Sequence, residues 1–509
     1  MYPDLHVPIV DLRIKRHGRN QLADSPIGHL TASICFCHYM TSSHGTFQKL
    51  GIDIPPKSPV LGHFGHALKY GVFDVQTVFY KKFKDKKVYG WYDTRTPVLV
   101  VKDLDMIKDI LVKHFNSFVD RRVFMEHDVP FRDNLLILRG DRWKHVRSSV
   151  SPTFSSGRIK KMSPHIERNA KILLENLKEK QESGQEVELK EICEFFTLDT
   201  IASIAFGIDL NTLKNPENKF AQEIKKITNP NPLLLAIVFL FPFLGPWFTR
   251  IGLPFFPKKS MNYLASAVNS VIAERKREGT EGTVNDFLDL VTSEAHEQGV
   301  KERLSLSEIH AQSIIFIFGG LETVSTVMSF TLFLLAVHPE CLERAQKEVD
   351  EKIGKDFPCS ENVQNLHYLD MCINEAIRMV PPAFFLDRQC VESIDINGVH
   401  IPKGMVVLIP VYAIHNDPNF WPEPEKFDPE RFTPENKETR HPYAFFPFGH
   451  GPRNCIGMRL ALVELKIAIA AVLQRYTLVP CSKTVYPFHL SKIRARTTNG
   501  AWVKINPRK

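Results

Sequence analysis

The dominant apolar pattern in the chain runs from about Ser305 to Val337 and predicts one long helix. Its centre, Ile314-Ile315-Phe316-Ile317-Phe318, is apolar on every face, so this helix is expected to pass through the middle of the molecule. His338-Pro339 ends it, because the residue before a proline is pushed out of the helical region. Met458–Gln474 is also helical in pattern, with Leu460, Val463 and Ile467 on a core-facing stripe. Asp141–Val150 reads as a helix ending at Ser151-Pro152, and Trp143 and Arg147 fall on one of its faces. Leu104–Phe115 opens another helical run. Val88–Val101 is rich in Val, Tyr and Trp and predicts a β-hairpin turning near Asp93-Thr94-Arg95. Val391–Pro410, with its Asn397-Gly398 turn signal, predicts a small sheet.

Pro55-Pro56-Lys57-Ser58-Pro59 reads as a stiff extended hinge, and the charged stretch Glu274–Val284 as an exposed connection. Pro232–Phe248 is strongly apolar, but Pro242 and Pro246 break any straight helix there. It is short for a bilayer span, so it predicts a monotopic insert that dips into one leaflet. There is no internal repeat and no low-complexity tract.

Composition narrows the class. A chain of 509 residues with 43% hydrophobic content can bury a large core. The net charge of +8 permits an acidic protein partner or an anionic membrane surface. It is too diffuse for nucleic acid, and no nucleic-acid motif is present. Nine cysteines without a repeated spacing argue for reduced thiols facing the cytosol.

The chemistry concentrates at Phe448-Gly449-His450-Gly451-Pro452-Arg453-Asn454-Cys455-Ile456-Gly457, an F-x-x-G-x-R-x-C-x-G pattern. Glycines let the backbone turn where side chains would clash with a flat ligand. Arg453 supplies a cation that accepts an anionic group and favours a thiolate at Cys455. Phe448 and Ile456 keep water from the sulfur. These are the requirements of a cysteine that ligates haem iron.

The loop resembles the haem-binding signature of cytochromes P450. Glu375-Ala376-Ile377-Arg378 fits E-x-x-R, Pro429-Glu430-Arg431-Phe432 fits P-E-R-F, and Gly319-Gly320-Leu321-Glu322-Thr323 fits the oxygen-binding helix pattern of the same family. His44–Ile52, Pro97–Val100, Ser151–Gly157, Gln312–Phe318 and Gly451–Arg459 are similar to the vertebrate 3A subfamily of drug- and steroid-oxidising microsomal enzymes. The resemblance implies a mainly α fold with small β-sheets: a single large domain, residues 43–509, around a buried haem b. Residues 1–42 precede it as an atypical segment without a clear membrane anchor.

The resemblance also assigns roles. Cys455 is the metal ligand, in a loop with Phe448, Gly449, Arg453 and Gly457. Trp143, Arg147, Arg388 and Arg121 join Arg453 as partners of the haem propionates. Gly319-Gly320 leaves room for dioxygen, Thr323 hydrogen-bonds the distal oxygen or a relay water, and Glu322 is the acid beside it. A mid-helix threonine otherwise bonds back to the carbonyl four residues earlier. Val324 departs from the subfamily, where Thr or Ser follows. Glu375, Arg378 and Arg431 form a buried charge triad. Phe318, Phe384, Phe385, Leu386, Phe124 and Phe131 are the expected wall of an apolar substrate pocket.

The implied activity is insertion of one atom of dioxygen into lipophilic xenobiotics and steroids. NADPH acts only indirectly, through a separate NADPH-cytochrome P450 reductase, because this chain has no flavin or nicotinamide motif. Cytochrome b5 is a further expected partner. The place is the cytosolic face of the endoplasmic reticulum membrane, with peripheral contact through 232–248, or else a soluble form. Two alternatives stay open: an endoperoxide isomerase similar to thromboxane synthase, which needs no reductase, and a non-catalytic haem-binding product.

Overall fold

The computed structural model describes residues 26–122, 131–228, 256–280, 286–292 and 304–508. These residues are mainly α-helical, with three small sheets among them. The principal helices are α1 (Pro26–Thr41), α2 (Gly140–Val150), α3 (Ser156–Glu182), α4 (Leu189–Phe206), α5 (Lys219–Thr228), α6 (Lys258–Glu278), α7 (Leu306–Val337), α8 (Pro339–Lys352), α9 (His367–Met379) and α10 (Met458–Arg475). The strands are β1 (Val88–Asp93), β2 (Thr96–Val101), β3 (Val187–Glu188), β4 (Leu386–Gln389), β5 (Ile394–Ile396), β6 (Val399–Ile401), β7 (Val406–Ile409), β8 (Tyr476–Val479) and β9 (Trp502–Pro507).

The long central helix forms where the apolar pattern places it. Ser305 caps α7: its hydroxyl accepts from the Glu308 N–H, and the Glu308 carboxylate accepts from the Ser305 N–H at 2.9 Å. α7 is long and apolar enough to cross a bilayer, but 78% of its most apolar window is buried inside the protein, so it serves as the core's axis. It packs most extensively along α4. There the missing Cβ of Gly320 lets the helices close: a Cβ would sit 2.6 Å from Ile201 Cδ1. Gly319 differs, since a Cβ on it meets nothing within 4 Å.

The β1–β2 hairpin turns at Thr94, which takes φ +54, and it extends into a sheet of order β1-β2-β7-β4. The stretch Val391–Pro410 therefore divides. β5 and β6 pair as a hairpin at Asn397-Gly398, whereas β7 leaves them to run parallel to β2. β4 runs antiparallel to β7 and pairs Arg388 with Val407, so Arg388 sits on sheet scaffold. Of the exposed connection expected at Glu274–Val284, the described residues are exposed at Glu274 and at 276–279, but they are helical as far as Glu278 and Arg275 among them is buried. α6 continues to Glu278, and Arg275 is buried against Asp286, with Nη1 2.8 Å from Oδ1. Charge alone suggested solvent there, but a buried carboxylate is the partner. Of the membrane insert expected at 232–248, every residue lies outside the described ones, as does Phe124.

Candidate active site

The Cys455 loop follows a short 3-10 turn at Pro442–Ala444 and leads into the start of α10. Gly449 and Gly451 take φ +70 and +75, in the left-handed region that favours glycine. The Cys455 N–H donates to the Phe448 carbonyl at 2.8 Å and closes the loop. The steric need at Gly451 is set by protein, because a Cβ there would run into the Leu111 carbonyl. A protein neighbour thus adds to the reason for glycine there. At Gly457, a Cβ would make ordinary contact with Phe154 at 3.8 Å. Phe448 packs on the apolar cluster that holds Val324 and Val327, and Ile456 packs on the cluster that holds Ile314, Ile317 and Leu321. The loop is thus clamped to both halves of α7's apolar surroundings.

Cys455 itself is exposed. It is nonetheless crowded by protein, so its sulfur opens into a recess instead of projecting from the surface. Desolvation there pushes the thiol pKa up. The N–H groups of Gly457 and Met458, at the N-terminus of α10, oppose that shift, as do the charges of Arg147 and Arg121.

The expected cations gather around this recess. Arg388 is 1% exposed and Arg453 5%. Burial, reinforced by the charge of Arg121, lowers the pKa of each guanidinium to about 9. Arg388 Nη1 donates to the Asp387 carbonyl at 2.7 Å. Arg453 Nη2 donates to the Leu138 carbonyl and lies 3.9 Å from Asp120 Oδ1. Its guanidinium stacks over the Trp143 ring at 4.4 Å. Arg388 Nε and Arg453 Nε and Nη1 are buried with no hydrogen-bond partner among the described residues. Arg147 reaches the loop from α2 and donates to Asn454, at 3.1 Å to the carbonyl and 3.2 Å to Oδ1. In this structure Trp143 and Arg147 thus contact Arg453 and Asn454, one helix face serving both.

On α7, Gly319 and Thr323 are exposed midway along a largely buried helix, one turn apart on the same stripe. The Thr323 hydroxyl donates to the Gly319 carbonyl at 2.7 Å, the back-bond open to any mid-helix threonine. Its lone pairs remain free to accept. Glu322 turns toward α4, where its carboxylate lies 3.4 Å from Lys190 Nζ.

The charge triad comes together, with Glu375 and Arg378 fully buried and Arg431 partly so. Glu375 takes Arg378 at 2.7 Å and Arg431 at 3.3 Å, plus the Asp428 N–H at 3.0 Å. Arg378 also donates to the His415 carbonyl at 2.9 Å and the Pro424 carbonyl at 2.7 Å, so its donors are shared with main chain. The expected pocket wall is split. Phe318 and Phe131 pack with Phe256, at 6.1 and 4.5 Å between ring centroids. Phe384 and Phe385 are half-buried neighbours at 4.9 Å, and Phe384 lies 4.8 Å from Phe73. Leu386 belongs to the sheet-side core.

Two buried guanidiniums with orphan donors demand an anion bearing several oxygens, since leaving such charges bare is expensive. A crowded thiol near them, whose thiolate form burial disfavours and a helix N-terminus with two arginines partly supports, suits a bound metal that would hold it deprotonated. The two propionates and the iron of haem b satisfy both demands, so the donor set fits this group.

Comparison with known proteins agrees. The Cytochrome P450 family profile matches residues 55–499. The chain belongs to the cytochrome P450 family. It is 42% identical over 460 residues to cytochrome P450 3A7 of Homo sapiens, covering 89% of this chain and 90% of that one. It is 41% identical over 460 residues to cytochrome P450 3A5 of Homo sapiens, with the same coverage of 89% and 90%. Against cytochrome P450 3A13 of Mus musculus it is 39% identical over 469 residues, covering 91% and 92%. The chain is a haem b-dependent cytochrome P450 monooxygenase.

Several residues of this P450 site were not evident from sequence. Asp120 and Asp387 supply the carboxylates nearest the arginine cluster, where Asp387 accepts from the Arg122 N–H at 2.7 Å. Arg440 stacks 3.9 Å from the Trp421 ring and feels the Glu375 charge, making it a further cation at the triad. Lys190 carried no signal at all: a lysine near a helix start reads as solvated, yet it is 2% exposed.

Proposed function

We propose that this chain hydroxylates neutral lipophilic molecules, xenobiotics and steroids among them, with electrons from NADPH delivered by a separate reductase. The observation that carries the site assignment is the pair of buried guanidiniums, Arg388 and Arg453, with orphan donors beside the Cys455 recess. Cys455 holds the metal as thiolate. Arg388, Arg453 and Arg121 hold the propionates, and Trp143 and Arg147 fix Arg453 and the loop in place. Bound there, haem supplies dioxygen activation and transfer of one oxygen atom to the substrate.

The protein's own groups do the rest. Phe318, Phe131, Phe384 and Phe385 offer apolar faces to a substrate without charge. Thr323 spends its hydrogen on the Gly319 carbonyl and so accepts from a relay water. Glu322 is the proton source one residue away. Glu375, Arg378 and Arg431 hold the fold around the site. Residues 43–509 act as the catalytic domain. The nine free cysteines suit the reducing cytosolic face of the endoplasmic reticulum, where the reductase and cytochrome b5 are expected partners.

Two measurements test this. Reduced protein under carbon monoxide should show the red-shifted Soret band of thiolate-ligated haem, and Cys455→Ala should abolish it; an unchanged spectrum in the variant refutes the ligand. Product from testosterone should require both NADPH and reductase. Turnover of an endoperoxide without them would instead make the chain an isomerase.

A further inference from the structure

Three of the nine cysteines are exposed, Cys35, Cys37 and Cys455, and the metal claims Cys455. The other two stand on α1, among large apolar side chains turned to solvent: Leu30 is 61% exposed, Ile34 60% and Phe36 42%. Residues three and four apart share a helix face, so Leu30, Ile34 and Cys37 form one stripe. Cys35 lies off it and shares its face with Tyr39, whose ring is covered by the Arg95 guanidinium at 3.9 Å. The end of the helix is fixed to the body. Met40 is fully buried, and the Ser43 hydroxyl donates to the Arg95 carbonyl at the β1–β2 turn. α1 thus joins the catalytic domain with the Leu30–Ile34–Cys37 stripe facing outward. In the sequence ahead of it, Arg13, Lys15, Arg16 and Arg19 place four cations within seven residues.

We propose that Cys37 is an S-acylation site, carrying a long-chain fatty acyl group that anchors α1 in a bilayer. The modification rests on the cytosolic membrane face proposed above and not on the haem chemistry. The donor is a fatty acyl thioester of a carrier thiol. The Cys37 sulfur attacks its carbonyl carbon, a new thioester forms at Sγ, and the carbon–sulfur bond to the carrier breaks. The Cys37 proton ends on the carrier thiol, so nothing is oxidised or reduced. An exposed thiol on an apolar helix at a bilayer surface meets its donor and the acyltransferase in the plane where both are concentrated. Leu30 and Ile34, on the thiol's own stripe, enter the same leaflet beside the acyl chain. One chain alone holds a protein weakly, with an association constant on the order of 10⁴ M⁻¹ for a C14 chain, so stable attachment takes a second signal. The apolar stripe supplies it, and the cations at 13–19 add attraction to anionic lipid. A thioester can be hydrolysed again, so this anchor is reversible where a spanning helix is not.

The test expresses the full chain in eukaryotic cells fed an alkyne-tagged palmitate analogue. The parent should carry the tag, neutral hydroxylamine should remove it, and a thiol reductant should not. Cys37→Ser should lose nearly all of it, whereas Cys35→Ser, Cys359→Ser and Cys481→Ser should keep most. Membranes washed at high salt should retain the parent and release several-fold more of Cys37→Ser. Hydroxylamine treatment of the parent's membranes should bring its release to the variant's level. The carbon monoxide band should be the same in every variant. Equal tag in Cys37→Ser and the parent overturns the site. An adduct that leaves with reductant overturns it too, since that marks a disulfide. A parent that sediments with membranes but carries no tag overturns the acylation and leaves the membrane location standing. A parent that is soluble and untagged removes both. Should Cys37→Ser lose the carbon monoxide band, hydroxylamine treatment of the parent decides alone, and unchanged attachment overturns the proposal.

Discussion

Glu464 lies on α10, 3% exposed, and its Oε1 has no hydrogen-bond partner among the described residues. Burial pushes its pKa up to about 8. The folded state therefore holds this proton over a range in which the unfolded state releases it. Stability from this group is fully present below the ordinary carboxyl pKa and is lost as pH rises from about 4.5 toward 8, by an amount on the order of 4 kcal/mol. Glu464→Gln should flatten that slope, so its urea midpoint should gain on the parent's between pH 5 and pH 8; parallel curves would show that Glu464 is solvated. Arg388 makes the complementary case. Arg388→Met removes a buried cation with an orphan donor, so the haem-free protein should gain about 1–4 kcal/mol while haem is lost more readily on dilution into apomyoglobin. Haem retention equal to the parent's would dissociate Arg388 from the propionates. Cys455 and Arg453 were expected because each stands at a fixed offset within a dense motif, and Arg388 because of the family resemblance. Lys190 and Arg440 were not, since what fixes them is a partner on another element, and charge by itself reads as surface.

At the scale of elements, α2, α7 and α10 were legible because their apolar stripes or full apolarity need a core and their ends carry chemical punctuation. Near the end of α6, where the neighbouring charges are exposed as expected, Arg275 alone departs, for the same reason Lys190 was missed: its buried partner is Asp286, which the local pattern does not reveal. The glycine pair on α7 looked like one feature and is two. Gly319 faces open space, so Gly319→Ala should add up to about 1 kcal/mol of helix propensity. Gly320 is where α7 closes on α4, so Gly320→Ala forces Ile201 aside and should be destabilising despite the same propensity gain. Ile201→Val in the Gly320→Ala background should recover part of the loss. Thermal midpoints of the three variants settle the matter, and a stabilising Gly320→Ala would mean that Ile201 simply rotates away.

At the scale of the whole molecule, the parallel pairing of β2 with β7 was not legible, because the partners lie far apart in sequence and either strand alone fits many neighbours. The surface carries a different message. α1 is exposed from His29 through Tyr39 at every position whose burial is described, and it still presents Leu30 at 61%, Ile34 at 60% and Phe36 at 42% exposure. Its 16 described residues rise about 24 Å and turn these apolar side chains to solvent, which suits contact with a bilayer interface. Inserting each large apolar side chain is worth at most about 1.5–3 kcal/mol, and three together outweigh the ordering they require. The apolar sequence Pro232–Phe248 is the second candidate contact. Two contacts on one bilayer reinforce each other through effective concentration, so losing either should weaken binding by more than its own apolar area suggests. Leu30→Ser with Ile34→Ser and Phe36→Ser should move protein from the liposome pellet to the supernatant. Leu240→Ser, Phe241→Ser, Phe243→Ser and Leu244→Ser should do likewise, and the combined set should release nearly all of it. Pelleting of the first variant at the parent's level would remove α1 from the membrane contact and leave the 232–248 segment to account for the binding.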